Sequence, residues 1–347
     1  MRRGLIARSP AELPDAALDA RLARVRAAMR TDQLDALVVY TNNTRPAGVS
    51  WLTGFVPYWS EALLVLPRDG DPVLVVALTY RVKSWIERTS RVADVIHTPR
   101  VGLEAGRRIA TAKADATVGI VDFDGLSAGI ADDLHDGGPR LGLRDASALF
   151  AQARAVADAA EIALATRAAS IARDALAQIP RDGADLGHML ATAEAAARRA
   201  GAEEIYLAAA PDLAHDQRLR RIEGEVARGA SCAVRASVAY KGAWVRMVRT
   251  IGCGEAAREA AVARFIAAVR GLPGPRAFAG FDSWLVEGCR LAQPLEPLMG
   301  SRVALQHAPP PGMLVSAEGR LTIAGTPVLI GAPALVGGNL LVDPACD

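Results

Sequence analysis

The chain has 347 residues, 51% of them hydrophobic, which is enough for two compact domains with full cores and too apolar for a disordered chain. Its 40 basic and 38 acidic residues leave a net charge of +2 spread along the sequence, without the concentrated basic face that nucleic acid requires. No apolar run of about 18 residues is present to span a bilayer, and the N-terminal stretch lacks the apolar core of a signal peptide. Cys232, Cys253, Cys289 and Cys346 have neither zinc-ligand spacing nor the density of a disulfide framework. The expectation is a cytoplasmic protein with reduced thiols and no nucleic-acid or membrane partner.

In chain order, DAALDARLARVRAAMRTDQL repeats apolar residues at helical spacing, and DALVVYT follows as a strand before the turn-forming NNTRPAG. EALLVLPRDGDPVLVVAL reads as two strands around an RDGD turn, TYRVKSWIERT as a helix, and ATVGIVDFDGLS as another buried strand. Residues 1–148 are thus expected to form an α/β domain of around five strands, and residues 149–347 a second domain. That second domain begins on one long Ala-rich bridging helix from Leu149, followed by a helix ending at Gly201. Then come the strands EEIYLAAA, SCAVRASVAY, GAWVRMVRTIG, GMLVSA, TPVLIG and ALVG, which make it α+β.

Two phrases carry a resemblance. VSWLTGF, from Val49 to Phe55, is similar to the N-terminal-domain phrase ending in Leu-Thr-Gly-Phe of the creatinase and Xaa-Pro aminopeptidase family, the pita-bread proteins. RAVADAAEI, from Arg154 to Ile162, resembles the Arg-x-x-Lys-x-x-x-Glu-Ile phrase that opens the family's catalytic domain, without its lysine. The resemblance implies an α/β creatinase-like N-terminal domain followed by an α+β pita-bread domain. In active members it also implies two divalent metals held by two aspartates, a histidine and two glutamates.

The ligand phrases are degenerate. In RGASCAVRAS, Arg235 stands at the first aspartate position, and in GAWVRMVRT, Arg246 stands at the second, while Gly242, Arg249 and Thr250 are kept. PGMLVSAEG keeps Glu318 as the first glutamate, and IGAPALV has Gly331 in place of the second. LMGSRVALQHAPP has no histidine at the ligand position when His307 is placed on the family's downstream His-Glu pair. Hard cations need several converging anionic ligands, and a guanidinium does not give up its proton. An ordinary metallopeptidase, and any metal cofactor, is therefore not expected.

Two roles follow as expectations. In the first, the chain is a metal-free binding protein or a partner subunit, a homodimer or a heterodimer with an active homologue, in which Arg235, Arg246 and Glu318 lock together and a small anion is a candidate ligand. In the second, it is a metal-independent enzyme acting on a small carboxylate-bearing amide or amidine. There His215, at the family's substrate-side histidine, is the acid/base and Glu318 its electrostatic partner. Substrate or ligand contacts are expected from Arg235, Arg246, Arg249, Trp244 and, on the polar loop TNNTRPAG of a neighbouring subunit, Arg45. His97, His135 and His188 lack catalytic partners in sequence, and Cys232 and Cys253 read as small buried hydrophobes.

Overall fold

The computed structural model describes residues 8–42, 45, 47–57, 59–180, 185–274, 276–289 and 309–345. The chain divides into two compact units between Ala155 and Val156.

In the first unit, helix α1 (Asp15–Thr31) buries Leu18, Leu22, Val25 and Met29, one apolar stripe at three- and four-residue spacing. Strands β1 (Ala36–Asn42), β2 (Glu61–Pro67), β3 (Val73–Val76), β4 (Asp94–His97), β5 (Thr117–Val121) and β6 (Gly142–Asp145) form one sheet in the order β4-β3-β2-β1-β5-β6. The sheet therefore has six strands rather than about five, because two short edge strands that no phrase marked, DVIH parallel to β3 and GLRD parallel to β5, join the four that were read. β1 is buried on both faces. Leu37 and Val39 pack with α1, α2 (Ala47–Thr53), α3 (Lys83–Thr89) and α6 (Ser147–Ala153), while Ala36 and Val38 pack with α4 (Val101–Ala112) and α5 (Ala128–Gly137).

The expected bridging helix is two helices. α6 belongs to the first unit because Phe150 and Ala153 are buried in its core. A new helix, α7 (Ala159–Ala177), starts where the Asp158 carboxylate caps it by accepting from the Glu161 N–H at 2.8 Å.

The second unit is one antiparallel sheet with helices on one face. β7 (Glu204–Ala210), β8 (Cys232–Tyr240), β9 (Ala243–Ile251), β10 (Ser283–Gly288), β11 (Leu314–Ile323) and β12 (Thr326–Leu335) run in the order β10-β11-β12-β9-β8-β7. TPVLIG and ALVG, read in sequence as two strands, are the single strand β12, which pairs with β11 along its whole length. α7 and α8 (Leu186–Arg199) cover Val234, Ala236, Val245 and Met247, and α9 (Glu255–Arg270) covers Ala317, Ile330 and Ala332. Alanines at 165, 168, 169, 172 and 175 let the α7 backbone lie close on the sheet. Among the described residues the opposite face is free of helices, and alternate residues of every strand point to it.

Candidate functional site

Directly opposed residues of antiparallel strands share a face, so the register assigns the side chains of this helix-free face. One row runs from Leu285 through Glu318, Gly331 and Val248 to Arg235 and Ala208, across six strands. The next holds Glu287 and Ser316 at one end and Arg246, Ser237 and Tyr206 at the other. Both arginines that stand at aspartate positions thus enter the same face as Glu318.

Each meets a carboxylate. Arg235 Nη1 lies 3.5 Å from Glu318 Oε2, and both side chains are 15% exposed. Arg246 Nη1 donates to Glu287 Oε2 in a direct ion pair, at 19% and 14% exposure. The Arg246 N–H donates to Ser316 Oγ at 3.1 Å. Cys289 Sγ sits 3.4 Å from the same Ser316 oxygen. Burial pushes the Cys289 thiol up to about 11, so near neutral pH it is a protonated thiol and not a nucleophile.

The remaining expected residues are less gathered. Trp244 is on the site face at 7% exposure, stacked on Tyr206 with centroids 5.8 Å apart, and serves as packing at the β7 end. Arg249 corrects the expectation: it is three residues from Arg246, so it points to the helix face, where Nη1 donates to the Leu176 carbonyl at 2.8 Å and the residue is 8% exposed. His215 stands on the loop after β7 with 83% of its side chain exposed, and its Nδ1 is 2.8 Å from Asp212 Oδ2. The hydrogen bond from His215 holds the Asp212 carboxyl below its usual range. Among the described residues Asp212 is the side chain that His215 meets, and neither hydrogen bond nor ion pair joins it to Glu318. Arg45 belongs to the first unit, where its guanidinium occupies the space that a Cβ at Gly125 would need. His307 lies outside the described residues.

The loop from Pro211 to Ser231 folds onto the same face of the sheet. Leu213 packs with Ala210, Ala233, Val248 and Leu329, with Leu219 beside it. Ala209 and Arg220 exchange backbone hydrogen bonds at 2.8 and 3.0 Å. At this end Arg320, two residues beyond Glu318 on β11, reaches the Gln217 carbonyl with Nη2 at 3.3 Å.

Glu287, Ser316, Tyr206, Cys289 and Arg320 were not singled out from sequence. Strand alternation could have placed Arg320 with Glu318, whereas Glu287 depends on β10, a strand that no sequence phrase marked.

Residues 21–156 match the Creatinase/Prolidase N-terminal domain family. The first domain belongs to that family. Over the whole chain, the prolidase from Pyrococcus furiosus superposes with a TM-score of 0.67 at 15% identity, covering 92% of this chain and 97% of that one. The Xaa-Pro dipeptidase from Bacillus anthracis gives 0.68 at 18%, covering 93% and 97%, and the X-Pro aminopeptidase from Thermotoga maritima MSB8 gives 0.68 at 14%, covering 92% and 97%. No curated protein sequence matches the chain. The creatinase/prolidase domain is thus followed by a pita-bread domain, as the fold class expected.

The dinuclear metal of active pita-bread proteins does not fit these residues. Among the described residues no group of three or more His, Cys, Asp or Glu side chains converges. Glu318 and Glu287 are each engaged by a guanidinium. Two cations placed beside two permanent positive charges would gain repulsion and lose ligands.

Proposed function

We propose that this chain is a binding member of the pita-bread proteins, without metallopeptidase activity, working as a partner subunit of a homodimer or of a heterodimer with an active homologue, or as a receptor for a small anion. The observation that carries this reading is the pairing of Arg235 with Glu318 and of Arg246 with Glu287 at the centre of the helix-free face. Four charges that neutralise one another in pairs suit a fixed surface better than a centre that must activate water. A cytoplasmic setting is part of the proposal. It is supported by free thiols at Cys232, Cys253 and Cys289, and among the described residues no helix is long and apolar enough to cross a membrane.

The experiment is hydrolysis of Xaa-Pro dipeptides by the purified chain with Mn²⁺ or Co²⁺ supplied, alongside sedimentation analysis alone and with a co-expressed intact homologue. The expected result is no turnover and a stable dimer in one of the two settings; metal-dependent turnover would overturn the reading. A metal-independent hydrolase would draw on the Asp212-oriented imidazole of His215. Product release from small carboxylate-bearing amides or amidines in the presence of chelator, abolished by His215→Ala, would replace the binding role with that enzyme.

A further inference from the structure

Among the described residues three strand arginines, Arg235, Arg246 and Arg320, enter the helix-free face, and the first two form ion pairs with carboxylates while Arg320 forms none. It is directly opposite Leu329 on β12 and Ser283 on β10. Its described contact is the hydrogen bond from Nη2 to the Gln217 carbonyl at 3.3 Å, and its Nε is buried without an acceptor. The residue is half-buried, and its neighbour across the edge strand, Ser283, is short and exposed. A half-buried guanidinium held only by one long bond to a carbonyl keeps most of its donors available, and a planar carboxylate is the group that its fork matches.

The surroundings define the rest of the ligand. Half-buried Leu285 follows Ser283 on the same face of β10, and half-buried Leu219 on the loop above packs against the cluster that buries Leu329, the residue directly opposite Arg320. Leu285 and Leu219 are the apolar surfaces for a short aliphatic tail. Glu318 is the next residue on this face of β11, and it disfavours a second negative charge on the ligand. We infer that Arg320 binds the carboxylate of a small monocarboxylic acid with a short apolar tail, under the Pro211–Ser231 loop. This deepens the small-anion branch of the proposed function and rests on it.

The test is calorimetric titration of the full chain with butyrate, with n-butylamine as the charge-reversed control. Butyrate is expected to bind with an affinity on the order of millimolar or tighter, and n-butylamine not to bind. Arg320→Gln should weaken butyrate at least about tenfold, the usual loss for a charge-assisted pair. Should that variant fold poorly, Ser283→Glu serves: its position is exposed and cross-strand from Arg320, so the new carboxylate occupies the guanidinium and abolishes binding while leaving the fold intact. No butyrate binding by the unaltered chain, or binding that survives both variants, overturns the site. Failure here with no peptidase turnover removes only this site, whereas metal-dependent turnover with butyrate binding intact removes the proposed function and leaves the site standing.

Discussion

Glu318 on β11 and Arg235 on β8 are joined over two intervening strands, their side chains meeting above Gly331 and Val248. Strands about 4.8 Å apart put the two backbones roughly 14 Å from each other. Only a long guanidinium and a glutamate lying along the sheet span that gap, and only with little side chain between them. The pair depends on a row of the sheet, not on neighbouring residues in the chain.

Breaking that pair on one side leaves a largely buried charge, 15% exposed, without its counter-charge across the sheet. Arg235→Met is expected to cost roughly 3 kcal/mol of unfolding free energy in urea, and Glu318→Leu a similar amount. The double variant should return close to the unaltered chain, because a well-filled apolar pair removes both desolvation penalties. Simple addition of the two single losses would show that the residues do not act on one another.

Gly331 keeps the path clear. A Cβ there would lie 3.0 Å from the Ala317 carbonyl oxygen, from Glu318 Cγ and from Val248 Cγ2. Gly331→Ala should lower stability by about 1–3 kcal/mol through crowding. In the Glu318→Ala background one of the three contacts is gone and the penalty should shrink. An equal penalty in both backgrounds would mean that Glu318 does not lie over position 331.

Arg249 separates the two faces of β9. Arg249→Met removes the hydrogen bond to the Leu176 carbonyl on the buried helix face and should cost about 1–3 kcal/mol, read by urea unfolding. Butyrate affinity should stay unchanged. A change in affinity at unchanged stability would put Arg249 on the site face instead.

The buried thiols set an alkaline limit. Burial raises Cys232 and Cys289 from the ordinary value of 9.0 to about 11. The folded state then holds protons that the unfolded state has released, so this contribution is fully present below pH 9 and is lost as pH rises through about 11. For Cys232, fully buried, the slope approaches about 1.4 kcal/mol per pH unit. Urea midpoints should fall over that interval, and less steeply in Cys232→Ala. At pH 8 iodoacetamide should label both thiols slowly until the chain is unfolded; rapid labelling of Cys289 in the native state would contradict a protonated, buried thiol.

Much of this was legible in the residues. The two arginines at aspartate positions and the retained Glu318 stood out by their place in the ligand phrases, and period-two alternation then puts Arg235, Ser237 and Arg246 on one face. The same alternation separates Arg249 from Arg246, although kinship with a family phrase had placed them together. Glu287 was not legible, because its role comes from β10 pairing with β11 across a stretch whose family phrase is eroded. Nor was the break between α6 and α7, which rests on the Asp158 cap and the burial of Phe150 against an uninterrupted Ala-rich pattern. Arg320 needed three strands and a loop to show that, among the described residues, its side chain meets the Gln217 carbonyl while the nearby Glu318 and Asp282 carboxylates are engaged by Arg235 and Thr322.

We propose that two guanidinium–carboxylate pairs, Arg235 with Glu318 and Arg246 with Glu287, stand where cations are held in active pita-bread proteins. Calorimetric titration of Mn²⁺ into the chelator-treated chain tests it most directly, with Arg235→Asp/Arg246→Asp as a companion that returns carboxylates to the face beside Glu318 and Glu287. No stoichiometric uptake by the unaltered chain and measurable uptake by the double variant is the predicted result. Stoichiometric Mn²⁺ binding by the unaltered chain would show that the arginines have not displaced the cations.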